Sequence, residues 1–481
     1  MLAPWVVEET RTADLKDQRL DKRFREVLAQ LGERPLASIP AACGGYAETV
    51  AAYRFFDNAK VEFGNVLAPH CEATRRRMHA QEVVFLVQDT TEIDVTRPEQ
   101  QVIGAGRLDG GARLGAFLHV LHAFTADGTP LGTLHGQAWV RAEERSQVDL
   151  RRRPIEEKES YRWLTTLRQA RAEARGCPNT RLVCVADSEA DIYELLVEAQ
   201  AEPRPIDWVV RAGHNRVAEL ETRQSVDETE KAALEKYLRN QVLSQPVLLT
   251  KTIAVRERKQ HVRCSRQRRQ QPRQSRQAEV EVRAGRVRLQ PPRRRGGPWP
   301  EVTVNVVLAH EPNPPAGEEP VEWMLLTSLA IESVDQVREV IQSYSVRWVV
   351  EVLFRTLKSG CRVEDRRFEH MDRFLPCLAL YLIVTWRTLY VCRLGRSCPD
   401  IDCQVVFEPA EWKAVYQVVR RKRPPPQPPK LAEMVRMVAQ LGGYVNRPRK
   451  DPPGPQTVWL GLQRTYDMAQ CWQLFGPDAP S

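Results

Sequence analysis

No run of apolar residues in this chain is long enough to cross a bilayer. The longest, FLPCLALYLIVTW at 374–386, stops at Arg387, well short of the ~20 residues a membrane helix needs, and it predicts a buried helix instead. The opening stretch, MLAPWVVEETRTADLKDQRL, has no apolar h-region, so no secretory signal is expected. The 11 cysteines contain no CxxC pair; Cys398 and Cys403 are the nearest two, and no half-site with His ligands follows them. That spacing argues against a zinc site and for free thiols in a reducing cytosol. His119 and His122 lie on an alternating, strand-like run and would point to opposite faces, which suits structural roles better than a shared metal. No internal repeat is present. Net positive charge is confined to one segment: 256–295 holds 15 Arg or Lys against three Glu, so the remainder of a +9 chain is slightly acidic. The segment is either a solvated loop or an electrostatic contact for a polyanion, which in a cytosolic protein means nucleic acid.

What is present is ordinary globular material, 42% apolar and 28% charged over 481 residues, enough for about three domains. Residues 1–75 read as helical. From 83 to 141 three β-rich runs follow, VVFLVQD, ARLGAFLHVLHAFTADG and TPLGTLHGQAWVR, the last two joined by the turn ADGTP. A helix (IEEKESYRWLTTLRQARAEA), a short buried strand (RLVCVAD), a helix (EADIYELLVEA) and another strand (DWVVRAG) come next. Three antiparallel strands followed by helix, strand, helix, strand is the ribonuclease H-like order. The expected fold is therefore α/β, a ribonuclease H-like core at 76–415 with a β-strand insertion at about 240–330. Helical domains flank it at 1–75 and 431–481, with a stiff, proline-rich hinge, RRKRPPPQPPK, inside 416–430.

Within that order three carboxylates stand out. Asp89 lies just past the first strand and Asp187 ends the later one; in a ribonuclease H-like sheet those strands are neighbours. Each Asp alone could be a helix cap or turn residue, as Glu189 and Asp191 read as first-turn helix residues. Glu351 lies in YSVRWVVEVLFRTLK. At about 100° per residue, Tyr344, Arg347, Glu351 and Lys358 share a wedge of roughly 60° on one helix. Such a stripe is either a solvated face with i,i+4 ion pairs or a phosphate-handling face around a metal ligand. Oxygen-only donors suit Mg²⁺, with Mn²⁺ able to substitute. Two such ions can activate a water or 3′-hydroxyl and stabilise the leaving oxygen of a phosphodiester.

Y-x2-R-x3-E-x6-K resembles the YREK pattern of bacterial insertion-sequence transposases of the DDE class, of the kind found in the kanamycin-resistance composite transposon. The likeness extends over nearly the whole chain: DLKDQRLDKRF and SIPAACGGYAETVAAYRFFDN, QDTTEID, KESYRW, VADSEADIYE, PVEWMLLTS and GGYVNRPRKDPPGPQTVWLGLQR. It implies a metal-dependent nuclease and strand transferase with Asp89, Asp187 and Glu351 as catalytic metal ligands. It also implies DNA contacts at Tyr344, Arg347, Lys358 and Arg211, and a base-stacking role for Trp323, for which a core position is the alternative. The partners it implies are the terminal inverted repeats and target DNA, held by a homodimer with a C-terminal dimerisation module. End recognition falls to 1–75, where Arg19, Lys22, Arg23 and Arg25 cluster. A cytoplasmic protein, nucleoid-associated when bound and without membrane contact, is expected. The alternatives are a non-catalytic end-binding or inhibitory relative and a stand-alone nuclease of the same fold. The first has no need of every acid and cation, and the second leaves the flanking helical modules without a role.

Overall fold

The computed structural model describes residues 2–110, 112–141, 153–201, 206–221, 236–255, 257, 272–292, 299–445 and 452–477. Most of the Arg-rich half of the basic segment, 258–271, and its end at 293–298 lie outside the described residues.

Helices α1 (Pro4–Glu9), α2 (Gln18–Glu33), α3 (Ile39–Cys43), α4 (Tyr46–Phe56) and α5 (Phe63–Met78) open the chain. The core follows as β1 (Val83–Asp94), β2 (Gly106–Arg107), β3 (Leu114–Phe124), β4 (Pro130–Trp139), α6 (Tyr161–Gly176), β5 (Arg181–Ala186), α7 (Tyr193–Gln200) and β6 (Asp207–Arg211). Next come β7 (Ala218–Leu220), α8 (Leu238–Leu243), β8 (Leu249–Val255), β9 (Arg276–Leu289), β10 (Val302–His310) and β11 (Glu322–Thr327). Helices α9 (Val334–Ser345), α10 (Trp348–Arg355), a π-turn (Thr356–Gly360), α11 (Met371–Ser397), α12 (Pro409–Arg420), α13 (Leu431–Leu441) and α14 (Pro455–Phe475) complete it.

β1 pairs antiparallel with β3 and parallel with β5, which pairs parallel with β6. This is the ribonuclease H-like arrangement. Alternation along β1 sends Phe85 and Val87 into one core and Val84 and Leu86 into another, so the sheet is buried on both faces by helices. The insertion was expected to interrupt this sheet. It extends it instead: β11 pairs antiparallel with β6, and β10 and β9 follow in the same sheet. An antiparallel return strand can join an open parallel edge without a crossover.

The N-terminal helices are not a separate body. Phe24, Val27, Leu28, Leu31, Phe55 and Phe56 are buried in the same cluster as Phe85 of β1 and Phe374 of α11. A buried polar node seals the junction. Glu9 accepts from Arg77 at 2.6 Å and meets His70 Nδ1 at 2.5 Å, while His70 Nε2 accepts from Thr133 N at 3.0 Å. The expected buried helix is α11, whose most apolar window is 83% buried inside the protein. Beyond it, α12, α13 and α14 share a third core. The stretch 421–430 therefore connects two helices of one cluster.

Candidate active site

β1 and β5 run in register from Val83 opposite Arg181 to Gln88 opposite Ala186. The next residues are Asp89 and Asp187, so strand register alone brings the two aspartates side by side; Asp89 lies within β1, paired with Val120 of β3, rather than just past the strand. Asp89 Oδ1 accepts from Thr90 N at 2.7 Å. The Asp187 carboxylate accepts from Glu189 N at 2.8 Å, capping a short 3-10 turn. It is thus a cap and a neighbour of Asp89 at once. Glu351 arrives from α10, one helical turn after Arg347. The Arg347 guanidinium ties the acids together, donating to Asp89 Oδ2 at 3.1 Å and to Glu351 Oε1 at 2.7 Å.

Asp89 is buried, and burial together with the nearby Asp187 pushes its carboxyl up to about 7; Arg347 opposes the shift and Glu351 adds to it. A carboxyl with a raised folded-state value keeps a proton that the unfolded chain has already released. Its contribution to stability is present at low pH and is lost as pH rises through about 7, a change of about 4 kcal/mol at most. The chelated protein is therefore expected to melt lower at pH 8 than at pH 5, and Asp89→Asn to flatten that part of the profile; parallel melting curves for the two proteins check this.

The acids open into a groove of about 1320 Å³ that Tyr344, Arg211, Trp323 and Trp348 also line. Burial raises the Tyr344 phenol, with Arg347 and Arg211 opposing, which puts both guanidiniums within electrostatic reach of it. Arg211 ends β6 opposite Leu325 of β11. Trp323 lies two residues before Leu325 and lines the same groove as Asp89 and Asp187. It is half-buried, packed on the core from one side and facing the groove on the other.

Lys358 departs from the expected stripe. Between α9 and α10 the backbone stays helical but tightens to 3-10 bonding, with Arg347 N donating to Tyr344 O and Val350 N to Arg347 O, and the last turn widens to π geometry at Thr356–Gly360. The β-branched run Val346, Val349, Val350 and Val352 is a weak helix former, and tertiary contacts set its winding. Lys358 points away from the groove and pairs with Glu364 at 3.7 Å. On α2, Arg19 and Lys22 are exposed and Arg23 pairs with Glu26 at 2.9 Å. Arg25, three residues on from Lys22, is half-buried. Asp191 is not a first-turn helix residue: it is buried and accepts from Gly213 N, His214 N and Arg216, fastening the segment after β6.

Two residues escaped the sequence reading. Trp348 is 46% exposed in the groove and lies 4.6 Å from the Arg347 guanidinium; an aromatic out of phase with the apolar positions of α10 was the available signal. Arg162 donates to Thr90 Oγ1 at 2.9 Å and to Glu189 at 2.7 Å, between the Trp139 and Trp163 rings. Nothing in its spacing marks it.

Known families cover most of the chain. A family described as Transposase DNA-binding matches residues 3–61, Transposase DDE domain matches 133–385, and Transposase Tn5 dimerisation domain matches 383–471. The chain belongs to the DDE-class transposases. Its three modules, in this order, are those of the Tn5-like branch of that class. Among solved structures it is similar to the piggyBac transposase synaptic complex with hairpin DNA, at 10% identity and a TM-score of 0.34, over 82% of this chain and 73% of that one. The DDE match includes Asp187 and Glu351 and begins after Asp89, so the place of Asp89 in the site rests on the β1–β5 register.

Proposed function

We propose that the chain catalyses cut-and-paste transposition of an insertion sequence, binding the element's inverted repeats, cutting through a hairpin intermediate and joining the freed 3′ ends to target DNA. The observation that carries this reading is the convergence of Asp89, Asp187 and Glu351 on one groove, with Arg347 bonded to Asp89 and Glu351. Asp89, Asp187 and Glu351 would hold the divalent ions, Mg²⁺ or Mn²⁺, and their all-oxygen donor set fits. Burial, with Asp187 beside it, raises the proton affinity of Asp89, and a bound cation would lower it. Among the described residues no three His, Cys, Asp or Glu side chains are arranged to hold an ion as they stand; Arg347 occupies the space between Asp89 and Glu351. Two bound ions would supply an activated oxygen nucleophile and charge stabilisation at the leaving oxygen.

The remaining work falls to the chain's own groups. Arg347, Tyr344 and Arg211 line the groove where phosphate oxygens would lie, and the Arg347 guanidinium can exchange its carboxylates for a phosphate bidentately. On α2, Arg19, Lys22 and Arg23 are placed for phosphates of the element end. Arg19→Ala with Lys22→Ala should lower the log–log salt slope of end binding by about 2, at ~0.9 per contact; an unchanged slope moves recognition elsewhere.

Trp323 serves the hairpin step. A 3′-hydroxyl attacking the opposite strand needs a sharply bent end; extruding a base relieves the bend at a cost of a few kcal/mol. A stacked indole returns about 1–3 kcal/mol of it. Trp323→Ala is expected to nick normally, accumulate nicked DNA without hairpins and melt within a few degrees of wild type. Loss of nicking and hairpins together with a large drop in melting temperature would make Trp323 a core residue.

A further inference from the structure

Arg366 is buried, 4% exposed, and its guanidinium bonds to backbone carbonyls rather than to a carboxylate. It donates to Pro35 O at 2.7 Å and to Ala37 O, both in the connection between α2 and α3, and to Cys361 O at 2.5 Å, the residue that follows the π-turn. The Tyr381 ring of α11 lies 4.7 Å from it. Burying a cation without a counter-charge is costly. What an apolar residue cannot do is join these three carbonyls.

The two segments it joins belong to different tasks. The 34–37 connection leaves the helix that carries Arg19, Lys22 and Arg23. The π-turn carries Lys358 and continues the helix of Glu351. Both ends are fixed further: Arg34 reaches Asp467 of α14 at 3.3 Å, and Gly360 lies so close to Trp459 that a Cβ there would stand 2.8 Å from the indole. A π-turn is a local excess of about one residue in an α-helix, frequent at functional sites. In an uninterrupted α-helix Lys358 would lie within about 20° of Glu351; in the π-turn it is turned onto Glu364.

We propose that Arg366 is the positioning residue through which the N-terminal module, on engaging a DNA end, resets the π-turn and delivers Lys358 to the face of Glu351, so that cleavage follows end binding. This rests on the transposase reading above. The test uses full-length protein, Mg²⁺ and duplexes carrying the element's ends. Wild-type cleavage tests that reading; if wild type cuts nothing, the reading fails first. If wild type cuts, Arg366→Met is expected to melt lower, since three carbonyls lose their donor, and to keep end affinity near wild type while single-turnover nicking falls about tenfold or more. Arg366→Lys, which keeps the charge and can reach one carbonyl, should recover part of that rate. Nicking at the wild-type rate in Arg366→Met, or loss of affinity and rate in equal proportion, overturns the proposal. Should Arg366→Met fail to fold, hydrogen exchange on wild type decides. A duplex with the inner part of the end but without its terminal base pairs should change exchange at amides 358–361 by about fivefold or more. Unchanged exchange there overturns the proposal as well.

Discussion

Asp89→Asn, Asp187→Asn and Glu351→Gln are each expected to lower metal-dependent cleavage of end DNA by roughly 10³-fold or more, with end binding close to wild type. Each change replaces one carboxylate oxygen by an amide nitrogen of nearly the same shape, so packing is left alone and a ligand is lost. Asp89 and Asp187 are brought together by the β1–β5 register, which neither substitution disturbs. Asp89→Asn also removes a buried acid whose ionisation is opposed by Asp187. It should therefore melt above wild type at pH 8 in chelator while being inactive in Mg²⁺. A higher melting temperature joined to lost cleavage cannot arise from general damage to the fold. Robust cleavage by any one of the three variants removes that residue from the catalytic set.

Removing residues 1–55 is expected to unfold the remainder rather than only uncouple end recognition. Phe24, Val27, Leu28, Leu31 and Phe55 go with the deletion, all at most 1% exposed and in the cluster that includes β1 and α11. At about 1.5–3 kcal/mol for each buried side chain of this size, their loss alone is comparable with the ~5–15 kcal/mol that holds a domain folded. Glu9 goes as well, leaving His70 and Arg77 without the carboxylate they share; a buried charge stripped of its partner costs several kcal/mol more. Circular dichroism and a melting curve on the truncated chain check this. A cooperative transition near that of the full chain would make the N-terminal helices an independent module after all.

The catalytic sheet was readable because it obeys local rules. β1 and β5 are buried on both faces and so appear as near-continuous apolar runs, each ending at an aspartate, and the order of strands and helices fixed which runs are neighbours. The tightened turn between α9 and α10 was not readable. No Gly or Pro interrupts 334–359, and a weak β-branched run reads the same in a regular helix as in one tightened by its surroundings. The π-turn is held by Trp459, far away in sequence, and by nearby Arg366, whose other bonds reach back to Pro35 and Ala37. The insertion was recognisable as β but not as part of the same sheet, since the pairing of β11 with β6 leaves no local mark. The fusion of the N-terminal helices to the core was hidden in the same way. Their apolar faces predict helices with something to pack on, and only the folded chain says that it is α11.

The most direct measurement is incubation of the full chain with Mg²⁺ and a duplex carrying the flanking inverted repeat, with Asp89→Asn beside it and the products resolved on a denaturing gel. The expected result is nicked and hairpinned ends from wild type, none in chelator, and bound but uncut DNA from Asp89→Asn. Equal cleavage by the two proteins, or end binding by wild type with no cut under any divalent ion, would contradict it.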